Sequence, residues 1–430
     1  MNPVALLFVS FLGLVVIRVP VAYALVLSSL LVAGIEGLRP TLVVQQMFQG
    51  LNSFTLLAVP FFLLAGQLLN TGLITDRLIR LAQALVGHIR GGLAHINVVV
   101  SMIFAGMSGS STADTAGVGS VLIPAMIGRG FDKNFTIALT AASSTMGSII
   151  PPSIMMIIYG AMGGVSIGGL FLAGAIPGAF IGLAQMAYSY YYAVRHDYPA
   201  ESRASSAEFW SAWRGGFLPL LVPVIIIGGV LSGKFTATES GMVATIYVLI
   251  LMFVIYRSSR LAHLPRVLAE AAVLYSQPLL AVAAATLFGW LLAYFQAPQA
   301  IGELVSGVTG SPTLTVLTIA AIFIVVGTFM DAIPAIIIFM PIVTHLVEVS
   351  GANPLHTGLV VVMTLAMGLI TPPYGLCLLL ACSIGRERVS RVMPQMFVFY
   401  ALFLAVILLI ILFPSISLFL PRLVMPQFVG

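Results

Sequence analysis

Residues 146–152 read Met-Gly-Ser-Ile-Ile-Pro-Pro, and residues 367–373 repeat the pattern as Met-Gly-Leu-Ile-Thr-Pro-Pro. Each stretch lies inside an apolar run, 134–162 or 358–384, that is long enough to cross a lipid bilayer. A proline removes a backbone N–H and clashes with the preceding turn, so no α-helix continues unbroken through two of them. Both runs are therefore predicted to be broken membrane helices.

The composition around these stretches is that of an integral membrane protein. Of the 430 residues, 60% are hydrophobic and 7% are charged, and the mean hydropathy is +1.12. Soluble domains carry about 25% charged residues, so this chain could not cover a globule of its size with a solvated surface. These values exclude a soluble enzyme, a nucleic-acid binder and a disordered scaffold, and they make the lipid bilayer the solvent of the fold.

The apolar segments are of two kinds. Uninterrupted segments that could span a membrane lie at 3–17, 20–37, 51–73, 168–194, 216–233, 237–256, 270–297 and 392–420. Two further pairs, 93–110 with 112–128 and 312–328 with 332–350, are each divided by a short polar stretch. We predict that each pair forms a re-entrant hairpin. Its tip must be enclosed by protein or line a water-filled cavity, because lipid cannot satisfy an irregular backbone.

The basic residues predict the topology. If both hairpins enter and leave on one side while the Pro-Pro segments cross, 15 of the 18 Lys and Arg residues fall on one face. These residues are Arg18 and those in loops 77–90, 129–133, 195–214, 257–266 and 386–391, whereas Arg39, Lys234 and Arg422 fall opposite. The positive-inside rule places the basic face in the cytoplasm and both termini outside.

The two halves of the chain are then predicted to be inverted repeats, because the two hairpins enter from opposite sides. Asp114 stands ten residues before Pro124 and Asp331 stands ten before Pro341, an offset of 217, while the Pro-Pro stretches are offset by 221. Inverted repeats with broken helices are typical of secondary transporters, whose site lies near mid-membrane. A channel with re-entrant loops has a similar pattern and stays an alternative.

Hydroxyl groups are concentrated at the breaks of the first half. They belong to Ser108, Ser110, Ser111, Thr112, Ser143, Ser144, Thr145, Ser148 and Ser153. Hydroxyl and freed carbonyl oxygens suit a hard monovalent cation such as Na⁺, and the half-helix N-termini after each break suit an anion. This combination predicts coupled import of a carboxylate. Serine and threonine also serve as packing residues between membrane helices, and an isolated serine would be assigned to packing.

Asp114 and Asp331 allow two interpretations. A carboxylate inside the membrane is costly and usually functional. The alternative is capping, in which an Asp at the start of the hairpin's second helix accepts hydrogen bonds from free N–H groups. The sequence gives capping at least equal weight for Asp114, because a matching Asp in both repeats points to a structural role.

No arrangement of residues in the sequence indicates catalysis. There is no nucleophile–base pair, no metal-ligand spacing among the histidines or between Cys377 and Cys382, and no Gly-x-x-x-x-Gly-Lys-Ser/Thr phosphate loop. The chain is therefore predicted not to be an enzyme and to need no cofactor other than a coupling ion.

Several motifs resemble the large membrane subunit of the tripartite ATP-independent periplasmic (TRAP) transporters, the DctM type. They are Phe104-Ala-Gly-Met-Ser-Gly-Ser-Ser-Thr-Ala-Asp114, Pro124-Ala-Met, Gly147-Ser-Ile-Ile-Pro-Pro-Ser153, Arg18-Val-Pro-Val-Ala22, Val59-Pro-Phe-Phe62 and Thr371-Pro-Pro-Tyr-Gly375. The resemblance covers essentially the whole chain. It implies a Na⁺-driven importer of small organic anions, of the C4-dicarboxylate or sialic acid type, in the bacterial inner membrane. Its implied partners are a separate small four-helix membrane subunit and a soluble periplasmic substrate-binding protein.

The resemblance also implies an elevator-type division into scaffold and transport domain. Scaffold and arm helices are expected in 1–92 and 195–297, transport hairpins and broken helices in 93–194 and 298–391, and a C-terminal helix in 392–430. One Na⁺ site is expected at Ser108, Ser110, Ser111, Gly147 and Ser148, and a second at Gly327, Thr328, Asp331, Gly368 and Thr371. Thr112, Asp114, Ser153 and Tyr374 are assigned to the substrate. A partner-independent Na⁺/carboxylate transporter and a re-entrant-loop channel are the alternative functions.

Overall fold

The computed structural model describes residues 2–17, 19–70, 72–257, 264–297 and 311–428. Within these ranges the regular secondary structure is entirely helical, which confirms the all-α prediction. Arg18 and Arg260, two of the residues counted for the topology, and the segment 298–310 lie outside the described residues.

The helices are numbered in chain order. The first half contains α1 (Pro3–Val16), α2 (Val21–Ile35), α3 (Pro40–Leu51), α4 (Ala58–Leu69), α5 (Gly72–Val86), α6 (Gly92–Ser108), α7 (Ser111–Gly128), α8 (Lys133–Ser144), α9 (Ile154–Gly163) and α10 (Ile167–Arg195). The second half contains α11 (Ser206–Leu231), α12 (Ala237–Ile250), α13 (Leu264–Tyr294), α14 (Pro312–Phe329), α15 (Ala332–Ser350), α16 (Pro354–Gly368), α17 (Leu376–Gly385), α18 (Val389–Leu412) and α19 (Pro414–Val424).

The described part of the chain is that of a multi-pass membrane protein. Seven of its helices are long and apolar enough to cross a bilayer, or eight if Pro40–Leu51 and Thr55–Leu69 form one span bent by 57°. The predicted uninterrupted segment 51–73 is wrong, because α4 ends at Leu69 and α5 begins at Gly72. The predicted uninterrupted segment 392–420 is also wrong, because α18 ends at Leu412 and α19 begins at Pro414. The chain leaves α3 at Leu51 and enters α4 through the short 3-10 turn Thr55–Leu57.

Both predicted hairpins are present as helix–turn–helix pairs. Gly109 and Ser110 connect α6 to α7, and Met330 and Asp331 connect α14 to α15. Connections of two residues fold each helix back against its predecessor, and both pairs are in contact. Gly109 has a left-handed φ of 62°, and a Cβ there would lie 2.9 Å from the Pro152 carbonyl oxygen. The first turn therefore depends on glycine both for its backbone angle and for its close approach.

Each Pro-Pro stretch breaks a helix, as predicted. α8 tightens into a 3-10 turn, Thr145–Ser148, passes through a cis Pro151–Pro152 bond and restarts as α9. α16 ends at Gly368, passes through a cis Pro372–Pro373 bond and restarts as α17. A hairpin tip lies against each break through one main-chain hydrogen bond. Ile154 N–H donates to the Gly109 carbonyl at 3.2 Å, and Tyr374 N–H donates to the Thr328 carbonyl at 3.0 Å.

The internal repeat is confirmed, with one correction to its register. Three pairs of matching positions stand 221 residues apart: the hairpin N-caps Ser110 and Asp331, the N-caps Asp132 and Asn353 of the next helices, and Pro151 and Pro372. The offset of 217 that paired Asp114 with Asp331 is therefore wrong. Asp331 caps α15, whereas Asp114 lies one turn inside α7, so equal spacing to a downstream proline does not make the two aspartates equivalent.

The basic loops lie on one face of the molecule, as predicted. Three ion pairs connect neighbouring loops: Arg90 with Asp197 at 2.6 Å, Arg129 with Glu201, and Lys133 with Glu387 at 3.4 Å. In addition, the Arg77 guanidinium lies 4.1 Å from the centre of the Tyr256 ring. The opposite face carries Gly163–Ser166, Val347, Glu348, Pro354 and Phe428, which line a cavity of about 250 Å³. Since the first hairpin starts at the basic face and the second at the opposite face, the two repeats are inverted.

The broken helices form the centre of this arrangement. All residues of α8 from Phe135 to Ser144 and all residues of α16 from Leu355 to Gly368 are buried. By contrast, α11 fully buries only Gly216, Pro219, Val222 and Ile226. The first break is thus held in the interior, whereas the second is more open, with Pro373 exposed and Thr371, Pro372 and Tyr374 half-buried.

The second hairpin and its broken helix meet at a pair of glycines, which gives a test of the fold. A Cβ at Gly368 would lie 2.5 Å from the Gly327 carbonyl oxygen, so Gly368→Ala should lower the free energy of unfolding by about 1–3 kcal/mol. Gly13→Ala is the matched control, because no atom lies within 4 Å of its added Cβ. Melting temperatures of the two purified variants would be compared, and equal values would contradict the close contact.

Impermeant thiol reagents should label the two faces from opposite sides of the membrane. The side chain of Arg129 on the basic face is 61% exposed, and Val349 at the opposite face is 66% exposed. We expect Arg129→Cys to react only from the cytoplasm and Val349→Cys only from outside. The wild-type chain is the blank, since Cys377 and Cys382 are both buried. Labelling of both variants from one side would contradict the inverted topology.

Candidate functional site

The tip of the first hairpin is joined to the first break by side-chain hydroxyls. The Ser111 and Ser148 hydroxyls lie 2.6 Å apart, and Ser111 also donates to the Thr145 carbonyl at 3.2 Å. Gly147 lies directly against the hairpin, because a Cβ there would be 3.0 Å from the backbone nitrogen of Ser111. The structure thus brings together Ser108, Ser110, Ser111, Gly147 and Ser148, the residues expected at one ion site.

Asp114 does not cap α7, so the capping interpretation of this residue is wrong. Ser110 is the N-cap, and its side chain accepts from Ala113 N–H. The Asp114 carboxylate is fully buried, and its Oδ1 accepts a hydrogen bond of 2.5 Å from the Ser108 hydroxyl. Its Oδ2 has no hydrogen-bond partner among the described residues, and a Cβ at Gly147 would lie 2.6 Å from it. A carboxylate oxygen without a partner therefore faces the first break.

Thr112 and Ser153, both assigned to the substrate, differ in solvent exposure. Thr112 is half-buried, and its hydroxyl lies 3.2 Å from that of Ser110. Ser153 is fully buried, and its hydroxyl donates to the Ser148 carbonyl at 2.5 Å while accepting from Met156 N–H at the start of α9. This engagement favours a structural role for Ser153, whereas Thr112 keeps an accessible hydroxyl.

The second tip is built differently, because here the aspartate is the cap. Asp331 Oδ1 accepts from Ala332 N–H at 2.7 Å, and the Tyr374 hydroxyl lies close to the same carboxylate. The capping interpretation is therefore confirmed for Asp331. Tyr374, which was assigned to the substrate, connects this cap to the second break.

The remaining residues of the second expected site contribute mainly backbone oxygens. Gly327 and Gly368 are in backbone contact across the junction. Thr328 is half-buried, and its hydroxyl donates to the Val325 carbonyl within its own helix, while its main-chain carbonyl accepts from Tyr374 N–H at the break. The Thr371 hydroxyl donates to the Met367 carbonyl at 2.8 Å, which leaves its lone pairs free to act as acceptors.

The two junctions approach one another through α17, which packs against α7 and α8 of the first repeat. The Cys377 thiol, in the first turn of α17, lies close to Thr115 and within electrostatic reach of both Asp114 and Asp331. The two repeats therefore meet where both hairpin tips and both breaks converge.

Three contacts near the site were not predicted from the sequence. Asn70 at the end of α4 donates to the Ala113 carbonyl at 3.3 Å, and Thr115 contacts Cys377. The Tyr400 hydroxyl donates to the Ile370 carbonyl at 2.7 Å. None of these residues belongs to a local motif, and only the tertiary fold brings them to the breaks.

The donor set of the junctions is made of oxygens. Hydroxyls, main-chain carbonyls and the free oxygen of Asp114 are the ligands that hard cations prefer. Within the ranges that the structure describes, no group of three or more His, Cys, Asp or Glu side chains converges in a way that could hold a metal ion. The residues present fit a monovalent cation that is held partly by the backbone.

Comparison with known proteins agrees with this architecture. The chain is 36% identical over 417 residues to the sialic acid TRAP transporter large permease protein SiaM of Vibrio cholerae, covering 96% of this chain and 97% of that protein. It is 37% identical over 377 residues to the C4-dicarboxylate TRAP transporter large permease protein DctM of Pseudomonas aeruginosa, covering 88% of each. Among solved structures it is similar to Neisseria gonorrhoeae MtrF, with a TM-score of 0.62, 14% identity and coverage of 96% of this chain and 95% of that one.

The structure of MtrF was described as illuminating a class of antimetabolite efflux pumps. At 14% identity, the similarity to MtrF shows only that the two chains share a fold. The family model of the tripartite ATP-independent periplasmic transporter DctM component matches residues 8–416. These relatives are transporter permeases, so the chain is not an enzyme. It belongs to the DctM component family of the tripartite ATP-independent periplasmic transporters.

Proposed function

We propose that the chain is the large membrane subunit of a Na⁺-coupled importer of small organic anions. The observation that carries the proposal is the junction of the first hairpin with the first break. There a fully buried Asp114 keeps one carboxylate oxygen without a partner, next to Ser108, Ser111 and Ser148. A buried polar atom left unpaired costs about 1–3 kcal/mol, and more for a charged group, so a cation bound there would relieve that cost.

The hydroxyls at this junction are oriented to receive a cation. Ser108 donates its hydrogen to Asp114, and Ser111 donates toward Thr145 or Ser148. A hydroxyl that donates inward keeps its lone pairs for another partner. We assign the first Na⁺ to this set, with Gly147 supplying close backbone approach. The second Na⁺ is assigned to the carbonyls around Gly327, Thr328 and Gly368, with Thr371 and Asp331.

The substrate is proposed to bind where the half-helices start. Four of them, α7, α9, α15 and α17, begin at a tip or a break, and the partial positive charge at each N-terminus favours an anion. Thr112 and Tyr374 are the polar side chains assigned to the substrate there. With Na⁺ bound nearby, cation and anion stabilise one another, which is the physical basis for coupling. The names of the relatives suggest a C4-dicarboxylate or a sialic acid as the substrate class.

The family supports the remaining parts of the system. A tripartite transporter implies a small four-helix membrane subunit and a periplasmic substrate-binding protein as partners. We place the chain in the bacterial inner membrane with both termini periplasmic, on the distribution of its basic loops. Movement is proposed to be of the elevator type, with segments 93–194 and 298–391 carrying the site past the scaffold of 1–92 and 195–297.

The two alternative functions would give different results in a transport assay. A partner-independent Na⁺/carboxylate transporter would work without the binding protein and the small subunit. A re-entrant-loop channel would conduct without saturation and without an ion gradient. The main-chain hydrogen bonds that close each hairpin against its break favour a carrier over a channel.

Transport should require Na⁺ and both partners together. In proteoliposomes that contain this chain, the small subunit and the loaded binding protein, an inward Na⁺ gradient should drive saturable uptake of the anion. Replacement of Na⁺ by K⁺ should abolish that uptake. Full uptake by this chain alone with free substrate would contradict the tripartite mechanism, and full uptake in K⁺ would contradict the coupling.

Ser108→Ala and Thr371→Ala should each raise the Na⁺ concentration for half-maximal uptake severalfold, because each removes one oxygen from a proposed site. The matched controls are Ser120→Ala on α7 and Thr364→Ala on α16, whose hydroxyls only bond their own helices. A hydroxyl that serves packing alone is worth about 0.6 kcal/mol in a membrane, so its loss lowers the yield of folded protein and leaves the Na⁺ curve unchanged. Site variants that behave like their controls would overturn the assignment.

A further inference from the structure

We propose that Tyr400, on α18 outside both hairpins, is a positioning residue for the second ion site. The inference rests on the proposed Na⁺ coupling and adds to it a residue that no motif identifies. It is carried by two hydrogen bonds around the second break, from Tyr400 to Ile370 and from Tyr374 to Thr328, and Thr371 lies close to Tyr400.

The Ile370 carbonyl, just beyond the end of α16, lacks the N–H partner that a continuous helix would provide. In a continuous helix the Ile370 carbonyl would accept from the N–H of residue 374, four positions later. Here Tyr374 N–H is directed instead to the Thr328 carbonyl on the hairpin. The Tyr400 hydroxyl takes its place and donates to the Ile370 carbonyl at 2.7 Å. A phenol from another helix thus satisfies the carbonyl that the break leaves free.

The same hydroxyl reaches the next residue of the chain. It lies close to Thr371, whose own hydrogen is donated to the Met367 carbonyl. Tyr400 is buried, so its hydroxyl contacts this pair without competition from solvent. It therefore holds the Ile370 carbonyl in place beside Thr371, whose side-chain oxygen is assigned to the second Na⁺.

The first repeat has no tyrosine at the position that matches Tyr400. The position 221 residues before Tyr400 is Ala179, and the position 221 residues before Ile370 is Ile149. The Ile149 carbonyl lies against Gly174, where an added Cβ would be 2.4 Å away. The first junction has the hydroxyls of Ser108, Ser111 and Ser148. Tyr400 thus supplies a hydroxyl to the junction whose hairpin has fewer of them.

The test is Tyr400→Phe, which keeps the ring and removes only the hydroxyl, in the full transporter with its small subunit and binding protein. We expect a severalfold rise in the Na⁺ concentration for half-maximal uptake, with a maximal rate near that of the wild type. Tyr188→Phe is the matched control. The Tyr188 hydroxyl donates at 3.4 Å to Gln395, which lies on α18 as Tyr400 does but away from the break.

A double-variant comparison separates positioning from a general structural role. Tyr400→Phe combined with Thr371→Ala should change the half-maximal Na⁺ by less than the product of the two single effects, since both act on one site. Combined with Ser108→Ala, the effects should multiply, because separate sites are independent. Multiplication in both pairs would overturn the assignment of Tyr400 to the second site.

The outcomes distinguish this inference from the function on which it rests. A wild type without Na⁺ dependence would refute the proposed coupling. A Na⁺-dependent wild type with the same curve for Tyr400→Phe and Tyr188→Phe would refute only the role of Tyr400. If Tyr400→Phe gives less folded protein, the rise in melting temperature with Na⁺ is measured on the purified folded fraction. An unchanged Na⁺ dependence there would likewise refute the positioning role.

Discussion

Backbone groups at membrane depth need hydrogen-bond partners, and the rest of this structure depends on how two broken helices meet that need. In lipid an unsatisfied peptide group costs several kcal/mol, so each Pro-Pro break must be covered by protein. A hairpin tip covers each break, with Ile154 bonded to Gly109 and Tyr374 to Thr328. The hairpins stop inside the molecule because their tips are needed there, and the enclosed polar space that results is where a site can form.

The two repeats share this geometry but differ in chemistry. At the first junction a serine caps the hairpin helix, and Asp114 is free to face the break with one oxygen unpaired. At the second junction Asp331 is itself the cap, and one of its carboxylate oxygens accepts from Ala332 N–H. Two junctions that are equivalent in fold therefore offer a cation different ligands, and they need not bind it equally well.

Much of the fold could be predicted because its signals are local. Paired prolines, polar stretches between apolar runs and the positions of arginines each act on their own segment, and the hairpins, the breaks and the common face of the basic loops are all confirmed. The register of the repeat was harder to predict. An Asp can stand at a cap or one turn later at the same distance from a proline, and only the structure separates Asp331 from Asp114. Tyr400 could not be predicted at all, since a tyrosine in an apolar helix reaches a distant carbonyl only through tertiary packing.

The bonds between tips and breaks also bear on leakage. A continuous water-filled path through either junction would require the hairpin to separate from its broken helix, which would leave the partners of that main-chain bond to find water or remain unpaired. At the second junction Gly327 and Gly368 are also in backbone contact, so no space is available until the helices part. Ions would thus be held back at rest by the same contacts that complete the fold.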